Sequence, residues 1–389
     1  MAMTAAISDF LASGDTDERP ARGSVATSDA ATSAALPGGW VVVPARAAAR
    51  AGWNAALEAL PDGSPFQSDE WGAYRENLGG RSLRYAVPAA GGGFRAMCLL
   101  QLRRFPDRTG IACCIGGPVG DVSAWSDLPA AILRSQNLSR LYVRFRCDRP
   151  REAADVVFLR RHGWQPPAVD TGLCLSLALD LSTGPEALLA GLDRRWRRNL
   201  RHAQEAGLTV ARVKNPDAGE VRALFAEMEG RKHLPSLFSQ ARLAALFRHA
   251  GPRLSFLECR DGAGRLVAVR GAATVGDRAC DYLAASSPEG RRLCASYLLL
   301  WEQLARCRRA GVVHYDLGGI DPWKNPGGHQ FKRQTGAREV EYLGEWDFAT
   351  SPALRATANW LIGKRHWLPH LPHLPHLPRL GSPLGSSRG

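Results

Sequence analysis

At 389 residues the chain has room for two domains that each bury a core, and an apolar share of 45% places it among globular rather than disordered proteins. Lys and Arg number 50 against 37 Asp and Glu, a formal charge of +13 that favours polyanionic partners: nucleic acid, anionic lipid or phosphorylated substrates. No run approaches the roughly 18 apolar residues of a membrane span, and the start lacks the apolar core of a secretion signal, so a cytosolic protein is expected.

Residues 1–38 are rich in Ala, Ser, Thr, Asp and Gly without an apolar period and read as a disordered leader. Order is expected from Trp40 onwards. Asp69–Leu78 reads as a short helix stopped by Gly79 and Gly80, followed by strands over Leu83–Val87 and Phe94–Leu102. Leu141–Phe145 alternates in polarity, which predicts a strand with one buried face, and a helix follows over Ala153–Arg161. Pro185 suits a first helical position. Leu189, Leu192, Trp196, Leu200 and Ala203 then recur at helical spacing until Gly207, so one helix is expected across them. Strand Leu208–Val213, helices over Val221–Arg231 and Ala241–His249, and strands over Leu254–Cys259, Leu266–Val275 and Ala279–Ala284 come next. A helix from Ser296 to Ala310 leads into a strand from Val312 that ends at Asp316. Helices interleaved with hairpin strands imply mixed sheets flanked by helices. At the far end Leu368–Leu380 repeats a Leu-Pro-His unit, which suits an extended, solvated tail better than a core or a metal site.

Nine scattered cysteines, with no CxxC pair and no zinc-ligand spacing, read as reduced packing thiols, and no metal is expected. Five arginines fall within Arg194–Arg201. Arg194, Arg198 and Arg201 share one helical face opposite the Leu/Trp stripe, a positive ridge suited to phosphates; the alternative is an ordinary solvated face. Glu289–Ser296 stands where an N-acetyltransferase of the GNAT type would place a pyrophosphate-binding loop. Such a loop needs glycines so that backbone N–H groups can approach phosphate, yet Cys294 and Ser296 occupy those positions, which weakens a coenzyme A reading. Asp316, before Gly318 and Gly319, reads either as a general base or as the acceptor that holds the glycine turn. Lys332, after a Gly/Pro-rich loop and beside Phe331, is the candidate donor to a developing oxyanion.

Taken in order, Pro65–Gly72 (PFQSDEWG), the helix Arg194–Gly207, Tyr282–Ser286, Tyr297–Glu302, Tyr315–Gly319 and Phe331–Gly336 (FKRQTG) resemble the FemABX aminoacyltransferases, over most of residues 40–348. The resemblance implies an α+β chain of two tandem GNAT-like domains, divided here as 39–172 and 173–350. A terminal helix and a Pro/His-rich basic tail would complete it over 351–389, with the end of the second domain packing back on the first. It implies transfer of an amino acid from aminoacyl-tRNA to an amine of a UDP- or lipid-linked peptidoglycan precursor, with no cofactor. Lys332 would stabilise the oxyanion with Phe331 beside it. Arg75, on the helix carrying Trp71, and Arg231 would hold the precursor's diphosphate, and Tyr282 would lie near the peptide. The family's FKxxFG has Thr335 in place of its second Phe. A lipid-linked acceptor implies peripheral contact with the anionic inner face of the membrane. The rival expectations are an acyl-CoA-dependent N-acyltransferase and a non-catalytic module that binds RNA or an anionic surface.

Overall fold

The computed structural model describes residues 36–367 apart from positions 45, 46, 235 and 237. The expected leader, except for its last three positions, and the Leu-Pro-His tail lie outside the described residues. The elements in chain order are β1 (Val41–Val42), α1 (Ala47–Ala59), α2 (Asp69–Asn77), β2 (Ser82–Pro88), β3 (Phe94–Arg104), β4 (Thr109–Ile115), β5 (Val119–Gly120), α3 (Leu128–Ser135), β6 (Arg140–Pro150) and α4 (Ala153–Arg161). The second half contributes β7 (Leu175–Asp180), α5 (Pro185–Gly191), α6 (Arg194–Glu205), β8 (Thr209–Arg212), α7 (Ala218–Lys232), α8 (Gln240–His249), β9 (Leu254–Arg260), β10 (Leu266–Val275) and β11 (Arg278–Ser286). It closes with α9 (Pro288–Arg292), α10 (Ala295–Arg309), β12 (His314–Gly319), α11 (Pro326–Arg333), β13 (Arg338–Ala349) and α12 (Pro352–Trp367).

The strands line up in the order β1-β2-β3-β4-β6-β13-β7-β12-β11-β10-β9-β8, with β5 on β3. The sheet is mixed: β4 with β6 and β11 with β12 are parallel, and the other neighbours are antiparallel. β13 is shared. Its opening residues Arg338–Glu341 pair with β7, and Tyr342–Ala349 pair with β6, so one strand joins the two halves. Helices cover both faces, and the architecture is the tandem GNAT-like arrangement of mixed sheets flanked by helices.

Three local expectations need correction. Leu141–Phe145 is buried on both faces: Tyr142 packs in one core cluster and Leu141, Val143 and Phe145 in another. The polar Arg144 that suggested a wet face is buried because its guanidinium pairs with Glu345 of β13. The single helix expected over 185–203 is two. Leu192 is extended, and the Asp193 carboxylate accepts the Arg195 N–H at 2.8 Å, restarting the helix as an N-cap. Trp196, Leu200 and Ala203 keep the buried stripe, while Leu189 faces out. Lys332 does not follow an open loop. Pro326 opens α11, the Asn325 side chain accepts from the Gly328 N–H at 3.2 Å, and Lys332 lies in the last turn.

Candidate active site

β11 and β12 pair at only three positions, Arg278–His314 to Cys280–Asp316, and then part. β11 continues along β10, and β12 continues along β7. The gap between them is the base of a cleft, about 760 Å³ of space partly open to solvent. Asp281 and Tyr282 line it from β11, Asp316, Gly318 and Gly319 from β12, and Phe66 and Phe238 add an aromatic wall.

The strand end is shaped by Gly318, whose φ of 79° lies in the left-handed region that side-chain-bearing residues avoid. Asp316 fixes this turn: its Oδ1 accepts the Gly318 N–H at 2.7 Å and the Ser176 hydroxyl, and its Oδ2 accepts the Tyr342 hydroxyl at 2.8 Å. The scaffolding alternative for Asp316 describes these contacts. Burial pushes its carboxyl above the ordinary value, with the three hydrogen bonds opposing that shift.

α11 then returns Lys332 to the same turn. Its Nζ donates to the carbonyls of Gly318 and Gly319, 2.9 Å each. Desolvation lowers its pKa, while Asp281 and Asp316 act in the opposite sense. An ammonium carries three hydrogens, so these two carbonyls leave one for a further acceptor. Asp281 is itself engaged, paired with Arg270 and accepting the Tyr315 hydroxyl at 2.6 Å.

The other sequence-predicted residues fall in five places. Tyr282 is in the cleft, and Trp71 packs edge-on against it with ring centres 5.5 Å apart. Phe331 turns away from the cleft into the second-half core, 5.0 Å from Tyr297 and 5.9 Å from Trp196, with Arg270 over its ring. It seats α11 and so places Lys332. Arg75 is 1% exposed in the last turn of α2; burial holds its pKa down, and Tyr282 and Arg242 are within electrostatic reach. Arg231 ends α7 outside the cleft lining. Arg194, Arg198 and Arg201 stand on the exposed face of α6 and make no ion pair among the described residues.

Sequence reasoning missed Phe66, Phe238, Arg146, Asp148, Ser176 and Tyr342, all in the cleft wall. Phe66 lay inside a motif already singled out. The acidic and basic pair Arg146 and Asp148 continues the alternation of β6 by two further positions, a signal that was available.

Residues 192–333 match the family model described as an acetyltransferase (GNAT) domain. This chain carries an acyltransferase domain of the GNAT type. No curated protein matches the sequence. Among solved structures, FemX is similar at 15% identity, covering 80% of this chain and 98% of that chain with a TM-score of 0.70. The L-PGS of Bacillus licheniformis is similar at 16% identity, covering 81% of this chain and 97% of that one with a TM-score of 0.50. A conserved protein of unknown function from Bacteroides thetaiotaomicron is similar at 11% identity, with coverages of 81% and 99% and a TM-score of 0.53. The FemABX resemblance read from the sequence therefore holds at the level of fold. Within the acyltransferase domain, the β11–β12 gap, α10 and α11 supply the cleft base, a core helix and Lys332. Among the described residues no helix is long and apolar enough to cross a membrane.

Proposed function

We propose that the protein is an aminoacyltransferase that moves an amino acid from aminoacyl-tRNA to an amine of a peptidoglycan precursor peptide. The observation that carries this reading is Lys332, held by two carbonyls against the wall of a cleft lined by Phe66, Phe238 and Tyr282. An aminoacyl ester is already activated. Aminolysis needs the acceptor amine in line with the ester carbonyl and a donor for the oxyanion, with no covalent enzyme intermediate. The amine nitrogen bonds to the carbonyl carbon, the ester C–O bond breaks, and the proton lost by the amine ends on the released ribose hydroxyl. The remaining Lys332 hydrogen stabilises the oxyanion between these two events. Tyr282 with Trp71 behind it forms the peptide wall, Arg75 and Arg231 are the proposed diphosphate ligands, and the α6 ridge takes the tRNA backbone.

The match to a GNAT domain favours a second reading, transfer from acyl-CoA. The segment that would cradle its pyrophosphate speaks against it. The Gly290 N–H donates to the Ser287 hydroxyl at 3.0 Å, and the Arg291, Leu293 and Cys294 N–H groups donate to Ser287, Glu289 and Arg291 carbonyls at 2.9 to 3.1 Å. These four backbone donors are used within α9 and the turn after it rather than turned toward a phosphate.

The test is single-turnover transfer by wild type and Lys332→Met, offered labelled aminoacyl-tRNA or acyl-CoA with a precursor peptide. The expected result is transfer from aminoacyl-tRNA that falls by about 10²- to 10³-fold in the variant, the usual loss for one oxyanion donor, with acceptor binding retained. Transfer that survives in Lys332→Met removes the lysine from this role, and transfer from acyl-CoA alone removes the tRNA donor.

A further inference from the structure

A second concavity, about 770 Å³ of space partly open to solvent, lies at the other end of β12 from the cleft. Arg212 from the end of β8 and Arg306 and Arg309 from the last turn of α10 enter its wall, together with Ser255, Thr274 and the buried Cys307. No carboxylate lines it. None of the three guanidinium groups makes an ion pair among the described residues, and the Nε of Arg306 is buried without a hydrogen-bond partner. Arg309 donates to the Ala305 carbonyl of its own helix at 3.2 Å. Arg212 reaches Cys307 closely enough to oppose the upward push of burial on that thiol, which stands at about 11.

Three like charges brought to one pocket repel, and a buried N–H without an acceptor is destabilising. Two other half-buried arginines of this half have carboxylate partners, Arg253 with Glu58 and Glu70 and Arg260 with Glu220 and Glu258, whereas the half-buried Arg306 has none among the described residues and Arg212 and Arg309 are exposed beside it. Here the compensating negative charge is supplied by no residue of the wall. The Ser255 hydroxyl is a further available donor type. A phosphate group meets all of these needs, because guanidinium forks match its oxygens in geometry and charge.

We infer that the pocket between the end of β8 and the last turn of α10 is a second anion site, separate from the cleft, that takes a phosphate group through Arg212, Arg306 and Arg309. Separation follows from topology. The two sets of lining residues share no member: Thr274, in the pocket, pairs with Ala279 of β11, and the cleft lining begins at the next residue, Cys280. The chain enters β12 straight from the pocket, the Val312 N–H bonding the Cys307 carbonyl at 3.0 Å, and reaches the cleft at Gly318 and Gly319. The inference does not depend on what the cleft transfers.

The experiment is arginine modification of the full chain by phenylglyoxal, read peptide by peptide by mass spectrometry, with inorganic phosphate or chloride at matched ionic strength. Phosphate is expected to slow modification of Arg212, Arg306 and Arg309 together, and to leave the exposed Arg160 and Arg161 of α4 at their chloride rates. Equal protection at α4, or none at the three arginines, overturns the site. In a direct phosphate titration Arg306→Gln is expected to bind about tenfold more weakly, the effect of losing one charge-assisted hydrogen bond. Lys332→Met is expected to bind phosphate as wild type does; weakening in that variant instead assigns the phosphate to the cleft and also overturns the site. Vesicles of phosphatidylglycerol against vesicles of phosphatidylcholine identify the source of the phosphate. Protection by the former at lipid phosphate concentrations where free phosphate gives none supports a lipid headgroup. Protection by free phosphate alone supports a soluble ligand.

Discussion

At the β6–β13 junction Arg144 and Glu345 are both buried, 2% and 0% exposed, and form an ion pair, while the Arg144 Nε and Nη1 have no hydrogen-bond partner among the described residues. Glu345 also accepts the Thr171 N–H at 3.1 Å and the Thr171 hydroxyl at 2.7 Å. At the β11–β12 gap Lys332 is half-buried and leans on two carbonyl dipoles rather than on a carboxylate. The first arrangement closes a charge pair inside the strand junction that holds the halves together. The second leaves a cation desolvated and incompletely matched beside a cleft. A closed pair serves the fold, and a cation with a spare hydrogen can serve a reaction. Neighbouring Asp347 belongs with the first kind: it is buried and takes hydrogen bonds from Arg355 at 2.6 Å and Asn359 at 2.8 Å, which dock α12 on the same junction.

Removing one partner of the closed pair gives the largest expected effect. Glu345→Ala leaves Arg144 buried against the Val169 carbonyl and strips both Thr171 donors of their acceptor. The expected loss is about 3 to 5 kcal/mol of stability, measured by urea unfolding. A loss under about 1 kcal/mol would show the junction to be tolerant and would dissolve the contrast. Lys332→Met is expected to behave in the opposite way. Thermal stability holds or rises slightly, because a desolvated ammonium is removed, while turnover falls by the roughly 10²- to 10³-fold of a missing oxyanion donor. If Lys332→Met unfolds as readily as Glu345→Ala, the lysine belongs to the fold.

The two groups at the gap also separate by pH. Lys332 has a folded-state pKa below its ordinary value of 10.5, so between those two values the unfolded chain binds more protons. The stability contributed by this group therefore rises with pH through that window. Turnover runs the other way, because the donor is the protonated amine, so the single-turnover rate should fall on an alkaline limb that begins below pH 10.5. Lys332→Arg should carry that limb upward; a limb that stays in place assigns it to another group. Asp316 has a raised pKa, so the native state binds more protons above 3.8 and its contribution to stability declines with rising pH there. Asp316→Asn should flatten that decline in urea unfolding followed between acid and neutral pH.

The elements were legible where local pattern decides them. Asp69–Asn77, Ala153–Arg161 and the hairpin strands β9, β10 and β11 lie within a residue or two of the expectation, because caps, turns and apolar runs are properties of neighbouring residues. The misreadings share a cause. Arg144 looked like an outward residue because its partner, Glu345, is 201 positions away. The break at Leu192 was hidden because the apolar stripe continues across it, and only the capping role of Asp193 marks the restart. At the site, Lys332 and Tyr282 were visible through motifs. The cleft walls Ser176 and Tyr342 come from β7 and β13, which the strand order makes neighbours, a topology that no single stretch encodes.

The exposed ridge on α6 extends the comparison to charges that make no ion pair among the described residues. Arg194, Arg198 and Arg201 face solvent, and the helix they ride on is anchored by Trp196, whose ring packs 5.0 Å from Tyr297 and 5.9 Å from Phe331, the residue next to Lys332. Replacing all three arginines by Gln should leave stability within about 0.5 kcal/mol, as surface changes usually do, and should leave the chemical step untouched. What should change is the salt dependence of tRNA binding. Each phosphate that the helix no longer neutralises flattens the slope of log K against log salt by about 0.7 to 0.9, so removing all three charges flattens it by about 2 to 3. The same substitution of Arg160 and Arg161, equally exposed on α4 of the other half, is the control. If both variants flatten the slope equally, attraction is a property of the overall +13 charge. If only the α6 variant does, the ridge holds the nucleic acid in register with Lys332, whose neighbour Phe331 rests on the same helix.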